Sequence, residues 1–181
     1  MQLLDAYLGS QLNMSCVSKN VPNDGSCMYH AVLESFEHKY GYQLEINHIN
    51  LRQRIATYLL QNKDNQLFLE QFREDEPGYT QGVTNLIPLK ERYVAYCNTH
   101  MHQTTDWPEE LCIHAISKIY GFQIIVYAEQ MTLDGIPSGF IIERLKTTPD
   151  NANEMSIMIG NRWNQHFYSI GSFCVFNIES C

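Results

Sequence analysis

Long apolar segments and an excess of basic charge are both missing from this chain of 181 residues. The longest apolar run, residues 122–128, contains one Gln and is far shorter than the roughly 20 residues that span a bilayer. Met1–Asp5 has no basic residue, and an acid interrupts its short apolar run, which argues against a signal peptide. A net charge of −8 with scattered Lys and Arg argues against nucleic-acid binding. We therefore expect no membrane and no nucleic-acid partner, whereas a basic partner would suit the acidic surface.

Paired cysteine motifs are missing as well. The six cysteines form no C-x-x-C pair and no dense framework, which favours free thiols in a reducing compartment; they are Cys16, Cys27, Cys97, Cys112, Cys174 and Cys181. Internal repeats and low-complexity linkers do not occur. With 44% hydrophobic and 18% charged residues, the chain is predicted to form one globular domain over residues 1–181.

The most informative stretch that is present runs from Asp24 to Cys27, with the sequence Asp-Gly-Ser-Cys. It follows a Pro and an Asn, so that turn-forming residues precede the cysteine. From residue 28 onward, apolar residues recur at helical spacing. Cys27 is therefore predicted to lie in the first turn of a helix, where free backbone N–H groups would lower its thiol pKa and could bind an oxyanion. A small buried residue at a helix start is the alternative.

The hydrophobic periodicity predicts an α+β domain in which the helices come first and most strands come last. Helices are predicted from Cys27 to a stop at Gly41 and over residues 49–60, 67–72, 88–100 and 108–120, the last capped by Gly121. Strands are predicted over residues 123–127, 140–145, 156–159 and 166–170.

A nucleophilic cysteine needs a base, which is normally a histidine distant in sequence. Of the seven histidines, His166 stands out because it opens a predicted strand after a loop that holds Trp163. The pair His100 and His102 is a weak metal signal without a third ligand nearby. The remaining four are interpreted as packing or surface residues: His30, His38, His48 and His114.

Three blocks of the sequence resemble the ovarian-tumour (OTU) domain cysteine proteases, a family of deubiquitinases with a papain-like arrangement. The first block is the Asp-Gly-x-Cys loop at residues 24–27. The second runs from Trp107 through Glu-Leu and Ala-Ile-Ser to the strand that ends at Tyr127. The third is His-Phe-Tyr-Ser-Ile at residues 166–170. The resemblance covers about residues 21–170 and implies a papain-like α+β fold with helices packed around a central, mostly antiparallel sheet.

The resemblance also implies roles at the matching positions. Cys27 would attack the scissile isopeptide carbonyl, and His166 would act as general base and then general acid. Asp24 would shape the loop or serve as a third catalytic member, and the loop amides, including those of Gly25 and Ser26, would form the oxyanion hole. The implied partner is ubiquitin, polyubiquitin or a ubiquitin-like modifier, bound by a cytoplasmic monomer (in the host cytosol for a viral or bacterial effector) with no cofactor and no metal.

One position departs from the family pattern. Many members have Asp or Asn two residues after the histidine, where this chain has Tyr168. Candidate orienting groups for the imidazole are therefore Asp24, Asn164 and Tyr168, and Trp163 is a candidate pocket wall for the substrate. Two other functions stay open: a catalytically silent OTU fold that binds ubiquitin, and a papain-like peptidase or acyltransferase for small substrates.

Overall fold

A computed structural model describes residues 15–74, 87–100, 110–134, 137–148, 155–162 and 166–173. Its centre is one five-stranded sheet with the order β1-β5-β4-β2-β3, in which only the β2–β4 pair is parallel. The strands are β1 (Ser15–Asn20), β2 (Gln123–Met131), β3 (Pro137–Lys146), β4 (Ser156–Arg162) and β5 (His166–Phe173). The predicted α+β class with a mostly antiparallel sheet is confirmed, and the edge strand β1 is an addition to the sequence-based prediction.

Five α-helices accompany the sheet within the part of the chain that the structure describes. They are α1 (Cys27–Tyr40), α2 (His48–Gln61), α3 (Gln66–Glu74), α4 (Leu89–Ala95) and α5 (Glu110–Tyr120). The predicted helix at 88–100 is only partly regular, because α4 passes into a π-helical turn, Tyr96–His100. None of the described helices is long and apolar enough to cross a bilayer.

Local signals explain where the helices that bear on the site begin and end. Helix α1 stops at Gly41, whose φ of 73° is the left-handed conformation that glycine adopts at low cost, and whose N–H donates to the Glu37 carbonyl at 2.8 Å. Helix α2 starts at Asn47, whose side-chain oxygen accepts the Asn50 N–H at 2.8 Å. Both ends follow from residue type, and the predicted stop at Gly41 is confirmed.

Helix α1 lies against strands β4 and β5, and this packing sets the position of the candidate site. Its apolar stripe is fully buried, as predicted: Met28, Ala31, Val32 and Phe36. Hydrogen bonds reinforce the packing, since the Ile170 N–H donates to Ser35 Oγ at 2.9 Å and the Ser169 hydroxyl donates to Glu34 Oε2 at 3.1 Å. These bonds join the middle of α1 to the middle of β5, the two elements that begin at Cys27 and at His166. The interpretation of residues 1–181 as a single domain stays a prediction.

Candidate active site

The loop that precedes helix α1 is a compact turn built by its own residues. Asp24 Oδ1 accepts the Ser26 N–H at 2.9 Å, which closes an Asx turn. Gly25 lies between them with a φ of 76°, a conformation in which a side chain would be strained. The helix then begins at Cys27, and the Ser26 carbonyl accepts the His30 N–H at 3.1 Å. The predicted turn-to-helix placement of Cys27 is confirmed.

The Cys27 thiol is completely buried at the start of α1. Burial raises its pKa, because it disfavours the charged thiolate, and the nearby Asp24 carboxylate acts in the same direction. Hydrogen bonds from the backbones of Phe167, Met28 and Cys27 itself oppose this, and the net pKa is above the ordinary value. The expectation of a lowered pKa is therefore wrong for this state of the protein. The helix N-terminus does direct amides at the sulfur, but the loss of solvation outweighs them.

Strand β5 reaches the thiol through its first residues. His166 opens the strand, opposite Arg162 of β4, and is partly buried. The next residue, Phe167, belongs to the hydrophobic core and directs its backbone at the Cys27 sulfur. The fold thus brings together the helix start that carries Cys27 and the strand start that carries His166.

Tyr168 is buried on strand β5, and its ring lies over Gly160 of β4. A β-carbon at Gly160 would lie 2.0 Å from Tyr168 Cζ, so that only glycine leaves room for the ring. The Tyr168 hydroxyl donates to Glu129 Oε1 at 3.4 Å. This contact directs the hydroxyl across β4 toward β2, and a role of Tyr168 in orienting His166 stays a prediction. Asn164 and Trp163 lie outside the described residues.

The buried side chain of Arg52 forms hydrogen bonds with the Asp24–Cys27 loop. Arg52 of α2 donates from Nη2 to the Gly25 carbonyl at 2.8 Å and to Ser26 Oγ at 3.4 Å. Its guanidinium carbon lies 4.8 Å from the centroid of the Tyr29 ring, a cation–π distance. Because a guanidinium donates several hydrogen bonds in a fixed plane, Arg52 fixes the loop at the Gly25 carbonyl, while Asp24 fixes it at the Ser26 N–H.

Two histidines lie next to Asp24 on the outer side of the loop. His30 Nε2 is 3.2 Å from Asp24 Oδ2, and the His30 and His48 rings are 4.1 Å apart between centroids. Partial burial alone would raise the pKa of Asp24, but the hydrogen bonds from Ser26 and His30 bring it below its ordinary value. Burial and the neighbouring His30 lower the pKa of His48. The interpretation of His30 and His48 as packing or surface residues thus missed a polar cluster.

The sequence profile of the OTU-like cysteine protease family matches residues 22–169, which span the Asp24–Cys27 loop, helix α1 and the start of β5. The chain belongs to this family. No curated protein sequence matches the chain. The family assignment predicted from the three sequence blocks is confirmed.

Solved OTU domains share the fold of this OTU-like chain. The OTU domain of OTUD1 is 19% identical, with a TM-score of 0.57 over 93% of this chain and 92% of that one. The Hazara virus OTU bound to ubiquitin is 10% identical, with a TM-score of 0.56 over 91% and 85%. An OTU deubiquitinase from Wolbachia pipientis wMel is 14% identical, with a TM-score of 0.52 over 86% and 87%. At these identities the likeness establishes the OTU fold.

Sequence reasoning missed three polar residues around the loop of this OTU-like domain. Arg52 had one detectable signal, since it stands within the buried stripe of α2, which includes Leu51 and Ile55. His30 and His48 had none, because their proximity arises from the packing of α1 against α2. Position in the tertiary structure, and not spacing along the chain, brings them to Asp24.

Proposed function

We propose that this chain is a thiol-dependent deubiquitinase, which hydrolyses isopeptide bonds at the C-terminus of ubiquitin or a ubiquitin-like modifier. The observation that carries the proposal is the convergence of two elements. The turn before α1 presents Cys27 at a helix start, and the backbone of Phe167, next to His166, is directed at its sulfur. Membership of the OTU-like cysteine protease family supports the same chemistry.

In the proposed mechanism, His166 takes the proton from the Cys27 thiol as the sulfur attacks the carbonyl carbon. The amides of the Asp24–Cys27 loop stabilise the oxyanion that forms. Collapse of this intermediate breaks the C–N bond, and His166 returns the proton to the departing lysine amine. Water then attacks the thioester with His166 as base, which releases the carboxylate and restores the thiol.

The buried thiol has a consequence for this mechanism. Because burial raises the pKa of Cys27, the resting thiol carries its proton at neutral pH. The proposal therefore requires that the thiolate forms during attack, by transfer of the proton to His166, and not beforehand. Asp24 and Arg52 contribute by fixing the loop whose amides receive the negative charge.

Ubiquitin is the proposed modifier because domains with the same fold have been solved bound to ubiquitin. The Hazara virus OTU was solved bound to ubiquitin, and so was the Wolbachia OTU deubiquitinase. The net charge of −8 suits a basic partner. Both points support ubiquitin as the substrate, and a direct reaction is needed to establish it.

The experiment is a reaction with ubiquitin that bears a C-terminal electrophile, followed by mass spectrometry of the adduct. We expect one adduct on Cys27, none with Cys27→Ala, and an unchanged yield with Cys97→Ala, which removes another buried thiol. Ubiquitin with an unreactive C-terminus serves as the binding control. Binding without an adduct would favour a silent ubiquitin-binding module. Turnover of small thioesters or peptides without any reaction with ubiquitin would favour the small-substrate alternative.

A further inference from the structure

Three donor side chains from separate segments converge beside the nucleophile loop. Asp24 comes from the loop, His30 from the first turn of α1 and His48 from the first residue of α2. Each offers one ligand atom, and the three atoms lie within 4.8 Å of one another. Within the described part of the chain, this is the one group of three or more such residues with that geometry.

The distances approach those of a tetrahedral zinc site. With Zn–N and Zn–O bonds of about 2.0–2.1 Å, two ligand atoms on a tetrahedron are about 3.4 Å apart. Asp24 Oδ2 and His30 Nε2 are already 3.2 Å apart. The His48 ring lies beside the His30 ring, and the His48 ligand atom lies within 4.8 Å of the other two ligand atoms. The Asp24 side chain is 46% exposed, which leaves the centre open to solvent.

We propose that Asp24, His30 and His48 bind one Zn²⁺ through a carboxylate oxygen and two imidazole nitrogens, with water in the fourth position. Mixed nitrogen and oxygen donors favour Zn²⁺ over Mg²⁺ and Ca²⁺, which prefer oxygen ligands alone. The two imidazoles are the donors that distinguish this group from an ordinary cluster of surface carboxylates.

The site would join elements that the polypeptide connects only through a loop. His30 and His48 belong to the starts of α1 and α2, and Asp24 belongs to the turn before α1. A bound ion that requires this arrangement stabilises the folded state by mass action. Asp24 also accepts the Ser26 N–H through its other oxygen, so that Zn²⁺ would bind the carboxylate that shapes the nucleophile loop.

The first test is direct metal binding to the 181-residue Cys27→Ala chain after it has been stripped with a chelator. This background removes the Cys27 thiol, which lies near Asp24, and makes the result independent of hydrolase activity. Co²⁺ replaces Zn²⁺ as a probe, because its visible absorption reports tetrahedral coordination. We expect one equivalent of Co²⁺ to bind, and Zn²⁺ to displace it.

Variants assign the ligands. His30→Gln and His48→Gln should each weaken Co²⁺ and Zn²⁺ binding by more than about tenfold, since loss of even an outer partner of a metal ligand costs ten- to a hundredfold. His38→Gln, on the exposed side of α1, is the matched control and should bind normally. The double variant His100→Gln/His102→Gln should also bind normally. Unchanged binding by folded His48→Gln, or loss of binding in the His100/His102 variant, would overturn the proposal.

A second measurement keeps the proposal testable if a histidine variant fails to fold. X-ray absorption of the zinc-loaded Cys27→Ala protein counts the imidazole and sulfur ligands directly. Two imidazoles with only oxygen donors besides are expected. A sulfur ligand, or a number of imidazoles other than two, would place the ion elsewhere. Zn²⁺ should also raise the Tm of the His38→Gln control, and no rise there would contradict the site.

Discussion

Cys27 and Cys97 are both completely buried free thiols, yet they lie in different surroundings. Cys27 begins helix α1 and has backbone amides from α1 and from Phe167 directed at its sulfur. Cys97 lies in the π-helical turn after α4, near Tyr93 and Cys112, and burial raises its pKa to about 12. Burial is common to both and therefore does not identify a nucleophile. Cys97 receives a hydrogen bond from its own backbone, whereas Cys27 receives them from its own backbone, from Met28 and from Phe167 of β5. This larger set of donors, which would stabilise a thiolate and an oxyanion, separates the two thiols.

The sharpest test of this comparison is to remove each thiol in turn. Cys27→Ala should lower cleavage of a fluorogenic ubiquitin substrate by at least about a thousandfold, as expected for loss of a covalent nucleophile. Cys97→Ala should leave the rate within about twofold and reduce the free energy of unfolding by about 1 kcal/mol, because it leaves a small cavity. Initial rates and urea unfolding measure the two effects. A Cys27→Ala rate above a few per cent of wild type would refute the nucleophile assignment.

Removal of the proposed base, His166, should lower the cleavage rate almost as much as removal of Cys27. His166→Ala should come close to the loss caused by Cys27→Ala, since nucleophile and base act as a unit. Asn164→Ala and Tyr168→Phe separate the candidate orienting groups, and the true one should cost about ten- to a hundredfold through a loosened imidazole. Tyr168→Phe keeps the ring over Gly160 and removes only the hydroxyl. If both variants keep full activity, neither residue orients His166, which leaves Asp24, another group distant in sequence, or a Cys–His dyad without an orienting group.

Loss of the Arg52 hydrogen bond to the Asp24–Cys27 loop should lower activity less than loss of His166. Arg52→Met keeps most of the packing volume but removes the donor to the Gly25 carbonyl, and we expect kcat to fall about tenfold with KM nearly unchanged. The free energy of unfolding should fall by about 1 kcal/mol, the low end of the cost of a carbonyl without its donor, because the Gly25 carbonyl is only partly buried. Arg54→Met is the matched control on the same helix, where the side chain lies over Tyr120. Equal effects of the two substitutions would contradict a loop-specific role.

The raised pKa of Cys97 predicts how the free energy of unfolding changes at alkaline pH. In the unfolded chain the thiol loses its proton near its usual pKa of 9.0, whereas the folded thiol keeps it up to about 12. The unfolded state therefore binds fewer protons above pH 9, and the free energy of unfolding falls as pH rises, by about 1 kcal/mol per pH unit for this group. Below pH 9 the contribution is constant. Urea unfolding between about pH 9 and pH 10.5 should show a shallower decline for Cys97→Ala than for wild type. Parallel curves would show that Cys97 does not titrate in this way.

Much of the site's local structure was predictable from sequence because it depends on nearby residues. The Asp24 turn, the start of α1 at Cys27 and the stop at Gly41 all follow from the conformational preferences of those residues. Strand β1 was missed because its contribution is backbone pairing with β5 at the edge of the sheet, and its sequence, Ser-Cys-Val-Ser-Lys-Asn, shows no clear alternation.

The tertiary environment was beyond sequence reasoning. A helix N-terminus lowers a thiol pKa when the thiol is solvated, but the chain buries Cys27, and burial reverses the direction. Arg52 reaches Gly25 across 27 positions of sequence, and His48 meets His30 only because α2 packs beside α1. Each of these depends on which elements pack together, and that information does not reside in any one segment.

The pairing of β1 with β5 has a consequence for the synthesis of the protein. Residues 15–20 pair with residues 168–173, so that the first described strand cannot join the sheet before the last one has been synthesised. Pairings between such distant segments form slowly, because the long loop between them must close first. On the ribosome, the segment that carries Cys27 emerges long before the strand that carries His166. A nascent chain therefore cannot assemble the proposed catalytic pair until almost the whole described fold has been translated.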